Sequence, residues 1–321
     1  MNILVTGGAG FIGSNFIVYM LRKHPSYRVV NLDKLTYAGN LANLREVKGK
    51  KNYRFVHGDI CNAKLVEPLV RNAEAIVHFA AETHVDRSII SADHFIRTNV
   101  FGTYTLLEAA LKYKIKRFLH VSTDEVYGSC RKGFFKENDL LAPSSPYSAS
   151  KAAGDLLAHS YFVTYKLPVV ITRSSNNFGP RQFPEKVIPL FVTNLLENKK
   201  VPLYAKGQNI RDWIFVEDNC RAIDIALHKG KAGEIYNIAG GNYINNISLT
   251  RRILKEMDKP FSMIQHVKDR PGHDFRYAID CRKIKALGFR PKVSFKKGLT
   301  LTIRWYKENT AWWKPLKKKS S

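Results

Sequence analysis

Along the chain, short apolar runs alternate with longer stretches whose apolar positions recur every three or four residues. The runs predict strands at Asn2–Thr6, Arg28–Leu32, Tyr53–His57, Ala75–Phe79, Arg117–Ser122 and Pro168–Arg173. The stretches between them predict helices over Ile12–Lys23, Ala63–Arg71, Ala92–Tyr113 and Tyr147–Tyr165. This rhythm predicts an α/β fold with a doubly wound parallel sheet, in which ligands bind outside the carboxyl ends of the strands. After Arg173 the rhythm loosens. Short strands (Val201–Tyr204, Asp212–Phe215, Glu234–Ile238) mix with helices (Lys186–Glu197, Glu217–His228, Ser248–Met257, Lys296–Asn309). That half predicts a smaller C-terminal α/β lobe closing over the strand ends. The division falls near residue 175, with segments free to cross.

TGGAGFIG, Thr6 to Gly13, joins the first strand to the first helix. Gly7, Gly10 and Gly13 let the backbone approach a pyrophosphate at the helix N-terminus, where N–H groups and the dipole favour an anion. A glycine pattern alone often marks only a tight turn; its place between strand and helix makes it a Rossmann-like dinucleotide site. Asp33 ends the second strand, where an acid binds ribose hydroxyls and repels a 2′-phosphate, favouring NAD over NADP. The competing reading is a turn carboxylate. Asp59 follows the third strand and is placed to reach adenine. Ala80 and Ala81 end the fourth and leave room for a cofactor against the backbone.

SPYSASK puts Tyr147 and Lys151 four residues apart, on one helix face. An ammonium beside a phenol favours the phenolate, so the pair suits proton removal from a sugar hydroxyl as hydride leaves. On its own Y-x-x-x-K is common by chance. VSTDEVYG then places a hydroxyl, Thr123, and two adjacent acids, Asp124 and Glu125, at the end of the fifth strand.

Together these motifs resemble the extended short-chain dehydrogenase/reductase superfamily (the NAD-dependent epimerase/dehydratase family), and within it the dTDP-glucose 4,6-dehydratase family. The resemblance is carried in order by DKLTYAGNL (33–41), AAETHVDRSI (80–89), STDEVYG (122–128), YSASKAAGD (147–155), RSSNNFGP (173–180), FPEKVIPL (183–190), NIRDWIFVED (209–218) and DRPGHDFRYAID (269–280). It implies NAD contacts from the glycine turn with Phe11 and Ile12, from Asp33, Lys34, Leu35 and Thr36, from Asp59 and Ile60, from Ala80, Ala81, Glu82 and Thr83, and from Asn99, Tyr147, Lys151 and Asn177. For the nucleotide sugar it implies His84, Thr123, Asn176, Lys186, Val187, Pro202, Tyr204, Arg211, Asn246, Arg270 and His273. Residues 1–175 are then the NAD-binding domain and 176–321 the nucleotide-sugar-binding domain. The implied reaction oxidises C4, eliminates water across C5 and C6, and returns hydride to C6. Tyr147 and Lys151 serve the oxidation, Thr123 holds the 4-hydroxyl, Asp124 is the acid and Glu125 the base. The substrate implied is dTDP-glucose and the expected assembly a homodimer, formed by the helices around Ala92–Tyr113 and Tyr147–Tyr165. Leu106, Leu107, Leu156, Leu157, Tyr161 and Phe162 are candidate interface residues.

Two departures stand out. Ser174 replaces a usual cysteine, and AKGQN (205–209) replaces a usual GDG-x-N near the base pocket. The acid pair names the elimination but leaves the base open, so a UDP-glucose 4,6-dehydratase is the alternative. A 4-epimerase needs no such pair, and a non-catalytic NAD-binding regulator on this fold usually loses the Tyr or the Lys.

The net charge of +25, from 52 basic and 27 acidic residues, suits an anionic diphosphate substrate. The basic residues are spread along the chain, so nucleic acid is not the expected partner. The dense run KPLKKKSS reads as a solvated tail. Four scattered cysteines without a CxxC pair, and no cluster with zinc-ligand spacing, predict reduced thiols, no metal and a cytoplasmic protein. No apolar run is long enough to span a membrane. The apolar N-terminus lacks a basic flank and is broken by glycines, so it reads as mature sequence.

Overall fold

The structure, a computed structural model, describes residues 1–269 and 272–318. The first half builds β1 (Asn2–Thr6), α1 (Phe11–Lys23), β2 (Arg28–Asp33), β3 (Tyr53–His57), α2 (Ala63–Arg71) and β4 (Ala75–His78). It continues through α3 (Val85–Ile90), α4 (Asp93–Phe95), a π-helical turn (Ile96–Gly102), α5 (Thr103–Lys112), β5 (Arg117–Thr123), α6 (Pro146–Tyr165) and β6 (Val169–Ser174). Then come β7 (Asn176–Phe178), α7 (Val187–Leu196), β8 (Val201–Tyr204), β9 (Ile210–Phe215), α8 (Val216–Lys229), β10 (Ile235–Ile238) and β11 (Tyr243–Asn245). The chain ends with α9 (Asn246–Glu256), β12 (Ile264–Val267), α10 (Arg282–Ala286), α11 (Phe295–Glu308) and α12 (Thr310–Lys318).

Seven strands form one parallel sheet in the order β10-β6-β5-β4-β1-β2-β3. Helices cover both faces, so central strands such as AIVH of β4 and VVITRS of β6 are buried along their whole length rather than alternating. The order reverses between β1 and β4. The carboxyl ends of these two strands therefore flank the crevice where such sheets take ligands. Gly7 N–H donates to Leu32 O on one side, and Phe79 N–H to Thr6 O on the other.

The smaller lobe holds a three-stranded sheet, β11-β9-β7, and the parallel pair β12-β8. Its own core gathers Phe178, Phe191, Trp213, Phe295, Tyr306 and Trp313. Segments of the chain cross the division near 175. After β9 the chain returns to the large sheet: α8 buries Ala222, Ile223 and Ala226 in the same core as Phe16 and Met20 of α1, and β10 pairs with β6. Parallel pairing requires this crossover, because a strand can join that edge only after a helix has carried the chain back.

Two expectations are refined. The helix read as continuous from Ala92 to Tyr113 runs from Asp93 to Lys112 and contains a π-helical turn. There Gly102 packs so closely that a Cβ would lie 2.5 Å from the Ile60 side chain, and the Asn99 side chain is drawn off to the 80s segment. Residues 319–321 of the basic C-terminal run lie outside the described residues; the part before them is not simply a solvated tail. Helix α12 includes Lys317, which donates to Asn194 Oδ1 at 2.7 Å and pairs with Glu197 at 2.8 Å, and it buries Trp313. No helix among the described residues is long and apolar enough to cross a membrane.

Candidate active site

A cleft of about 310 Å³ opens at the strand-order reversal. One wall is the glycine turn. Gly7 has φ +71°, and a Cβ there would lie 2.5 Å from Ala80 N; a Cβ on Gly13 would lie 2.4 Å from Gly7 O. The turn is thus packed flat, with backbone as its surface. Helix α1 begins behind it with Gly10 at the N-cap and no capping side chain, which leaves first-turn N–H groups directed at the cleft end. Gly7, Gly10, Phe11, Ile12 and Gly13 line the cleft with Asp33, Lys34, Thr36, Asp59, Ile60, Ala80, Ala81, Glu82 and Thr83.

Asp33 is buried. Its Oδ2 accepts from Ala9 N and its Oδ1 from Leu35 N, each at 2.8 Å. Burial raises its pKa above the ordinary carboxylate value, while the two N–H donors act the other way. Leu35 is not in the lining; its backbone orients Asp33. Asp59 pairs with Lys34 at 2.8 Å, and although burial opposes it, that ammonium holds the carboxyl below its usual range. Asn99 stands one step behind the cleft. Its Oδ1 accepts from Glu82 N at 2.8 Å, and its Nδ2 donates to Glu82 O and to Ser150 Oγ, so it fixes the 80–83 segment by both backbone groups.

The other end of the cleft is built by β5 and α6. Thr123 closes β5 and caps the short helical turn Asp124–Tyr127, accepting from Glu125 N at 3.3 Å. Asp124 is 3% exposed, and its Oδ2 has no hydrogen-bond partner among the described residues. Burial, with the charges of Glu125 and Asp212 beside it, raises its pKa well above the ordinary value, which favours the protonated form. Helix α6 starts at a capping box, Ser145 with Ser148, with Pro146 in the first turn. That start fixes Tyr147 and Lys151 on the face toward β5, and both line the cleft.

The lowered phenol pKa expected from the Tyr-Lys spacing is not found. Burial, together with Glu125, raises Tyr147 well above its ordinary value, and only a hydrogen bond with Thr123 opposes this. Lys151 is itself pushed down to about 8 by burial, and its Nζ donates to Val121 O at 2.8 Å.

Asn176, Asn177 and Lys186 reach the cleft from the smaller lobe. Val187 follows Lys186 as the first residue of α7, and His84 caps α3 with its Nε2 3.9 Å from Glu185. The remaining substrate candidates form a second group around β8 and β9. Pro202 and Tyr204 lie on β8, Tyr204 meets His273 edge-on at 5.8 Å, and Asn246 begins α9. Arg211 lies over the Tyr277 ring at 4.3 Å and donates to Asp274 O at 2.9 Å. Arg211 acts on Asp124 and Glu125 acts on Tyr277, so the two groups share one electrostatic environment. Arg270 lies outside the described residues.

Several lining residues had no role assigned from the sequence. Tyr37 carries the Arg87 guanidinium over its ring at 3.9 Å, and Arg87 pairs with Glu185 at 3.2 Å. This tie joins the 33–41 loop, α3 and the smaller lobe. All three residues sit inside motifs that were recognised, but nothing local signalled the contact. Ser175, Asn176, Asn177, Gln182 and Glu185 each hold a buried polar atom without a partner among the described residues, and all line this cleft. Folded proteins pair such atoms, so their concentration here points to a polar ligand. With the open helix N-terminus and Asp33, the cleft suits a dinucleotide.

The one cluster of metal-ligand types among the described residues is His24, Asp224 and His228, between α1 and α8. It lies away from the cleft, and Lys23 pairs with Asp224 at 2.6 Å.

Comparison with known proteins agrees with this geometry. A family profile described as GDP-mannose 4,6 dehydratase matches residues 4–302. A dTDP-glucose 4,6-dehydratase of Streptomyces niveus is 54% identical over 99% of this chain and 96% of its own length. The crystal structure of DesIV, a dTDP-glucose 4,6-dehydratase from Streptomyces venezuelae with NAD bound, superposes with a TM-score of 0.97 at 53% identity, covering 98% of this chain and all of that one. That of a dTDP-glucose 4,6-dehydratase from Bacillus anthracis in complex with NAD gives a TM-score of 0.93 at 51% identity, covering 98% and 99%. With its acid pair, Tyr147 and Lys151 gathered at one end of a dinucleotide-shaped cleft, the chain belongs to this 4,6-dehydratase family, among the dTDP-glucose 4,6-dehydratases.

Proposed function

We propose that the protein converts dTDP-glucose to dTDP-4-keto-6-deoxyglucose and water with NAD held in the cleft. The observation that carries this reading is the pair Asp124 and Glu125, set directly after Thr123 in the same cleft as Tyr147 and Lys151, with Asp124 buried and its pKa raised by that burial. Residues of the glycine turn, Asp33, Asp59, the 80–83 segment and Asn177 would hold NAD, with Asn99 behind them. When bound, NAD supplies the acceptor and donor of hydride and, oxidised, a positive charge that favours the Tyr147 phenolate.

Thr123 and Tyr147 hold the 4-hydroxyl of the sugar, and Tyr147 takes its proton as C4 becomes a ketone. That ketone acidifies C5. Glu125 takes the C5 proton, and Asp124 gives its own to the departing 6-hydroxyl, which leaves as water. Glu125 returns its proton to C5, and bound NAD, which would supply the hydride that C6 receives, would end each cycle as it began. Arg211 and Lys186 offset the charge of the diphosphate, with Asn176, Asn246 and His273 completing the pocket.

Purified protein is expected to carry NAD without addition. With dTDP-glucose it should form a 4-keto-6-deoxy product, read as the chromophore that develops in alkali. UDP-glucose is run in parallel; equal turnover would overturn the choice of base.

The homodimer is proposed on a corrected surface. Leu106, Leu107 and Tyr161 are buried within the subunit, and Leu157 and Phe162 pack against the same core. The exposed apolar residues of these helices are Ile96, Phe101, Tyr104, Leu156, Val163 and Tyr165. They favour pairing of α5 and α6 with their copies in a second chain. Leu156, at 60% exposure, is the sharpest probe. Leu156→Glu is expected to shift a dimer toward monomer in sedimentation at micromolar concentration. A wild-type monomer there would end the proposal. Four unpaired thiols, Cys61, Cys130, Cys220 and Cys281, suit a reducing cytoplasm.

A further inference from the structure

Helix α6 presents Tyr147, Lys151 and Asp155 at successive turns of one face. The first two line the cleft and the third does not. Asp155 is 1% exposed and lies between two strands. Arg173 Nε on β6 donates to Oδ2 at 2.8 Å, and His120 Nε2 on β5 lies 3.3 Å from Oδ1 without a hydrogen bond. Arg173 is anchored in turn, donating to Tyr127 Oη at 2.7 Å, and Tyr127 Oη donates to Asn237 Oδ1 at 2.9 Å. A buried ion pair costs more in desolvation than an apolar pair of similar size, so it is weak evidence for stability alone.

We propose that Asp155 is a positioning residue for the reaction: bonded to Arg173 of β6 and one turn beyond Lys151 on the same buried face of α6, it fixes where α6 presents Lys151 and sets a carboxylate one turn from its ammonium. This rests on the reading of Tyr147 and Lys151 as the oxidising pair.

The groups that act with Lys151 are His120 on β5, His78 on β4 and Asp155 on its own helix, with Arg173 of β6 bonded to Asp155; Tyr147, Asp124 and Glu125 line the same cleft as Lys151. Both imidazoles are held neutral, by burial first and then by neighbouring positive charge that includes Lys151. Burial pushes Lys151 down and Asp155 opposes it. Removing the carboxylate charge lets the lysine lose its proton at lower pH, and the uncompensated Arg173 pushes the same way.

The test compares Asp155→Asn and Asp155→Glu with wild type, with dTDP-glucose as substrate from pH 6 to 10. In Asp155→Asn the alkaline limb of kcat is expected to move down by about one pH unit, a roughly tenfold shift in the lysine's protonation equilibrium. Asp155→Glu keeps the charge and is expected to keep the limb. A second readout is independent of turnover: Tm against pH, each variant compared with its Lys151→Met counterpart. A lysine whose folded pKa is depressed makes the fold more stable as pH rises from that pKa to the unfolded one. Lys151→Met abolishes this rise, and Asp155→Asn makes it begin at lower pH.

A lower Tm in Asp155→Asn with both pH dependences unmoved would reduce Asp155 to a structural residue. If Asp155→Asn does not fold, a one-unit shift of the limb in Asp155→Glu would overturn the proposal, and an unmoved limb supports it. If wild type does not turn over dTDP-glucose, the functional reading fails, while the Tm comparison still decides the role of Asp155.

Discussion

Glutamine at position 125 is expected to lower overall dehydration by about 10²–10⁴-fold, the range a positioned general base contributes. The first hydride transfer should survive. Glu125 lies one residue beyond Asp124, its N–H held by Thr123 Oγ1 at 3.3 Å, and it lines the cleft. Glutamine keeps that backbone anchor and the side-chain length but cannot accept the C5 proton. Two measurements separate the steps. Loss of C5 hydrogen exchange with solvent reports the base, and a persisting transient near-ultraviolet absorbance of reduced NAD reports the oxidation. Full dehydration by Glu125→Gln would show that another group removes the C5 proton. Asp124→Asn makes a useful contrast, because amide for acid removes the proton donor and leaves the base in place.

Alanine at Trp313 is expected to cost about 3–5 kcal/mol of stability, the usual loss on truncating a fully buried tryptophan. Trp313 is 1% exposed, packs in the core of the smaller lobe and donates its Nε1–H to Tyr306 O at 2.8 Å. Its neighbour Trp312 donates to Asn43 Oδ1 at 2.9 Å, and Asn43 Nδ2 donates to Ala9 O at 2.8 Å, inside the glycine turn. The last helix therefore braces the turn that begins the fold. A urea midpoint corresponding to less than about 1 kcal/mol of loss would contradict this account. The brace also implies that Trp313→Ala protein retains less NAD on purification than wild type.

Sequence reasoning reached the large sheet because its signals are local. The apolar runs of β1, β4, β5 and β6 are buried almost throughout, the edge strand β3 is only half-buried, and the glycine turn and the Thr123–Glu125 stretch are contiguous. It missed what depends on distant contact. Strands β7 and β11 are three residues each, too short for a periodic pattern, and are set by pairing with β9. Within the π-helical turn the Asn99 side chain is bonded to Glu82, seventeen residues away in sequence, a contact no local pattern shows. Leu106 and Leu107 were taken for interface because helical periodicity alone cannot tell a sheet-facing leucine from a partner-facing one. The phenol of Tyr147 was misjudged for a related reason: spacing from Lys151 is visible in the sequence, but the burial that dominates both groups is not.

The chain passes between its two lobes repeatedly: from β6 to β7, from β9 to α8, and from β10 to β11. A lobe joined by one linker can swing on it; a lobe stitched on by several strands has no single axis about which to turn. Opening would have to bend those connections together, so the cleft walls should slide or breathe only slightly. Such a frame suits a reaction whose electron ledger closes within each cycle. Sugar need only slip through the mouth, and the dinucleotide, having nothing to exchange with solution, can stay sealed where the stitching holds it.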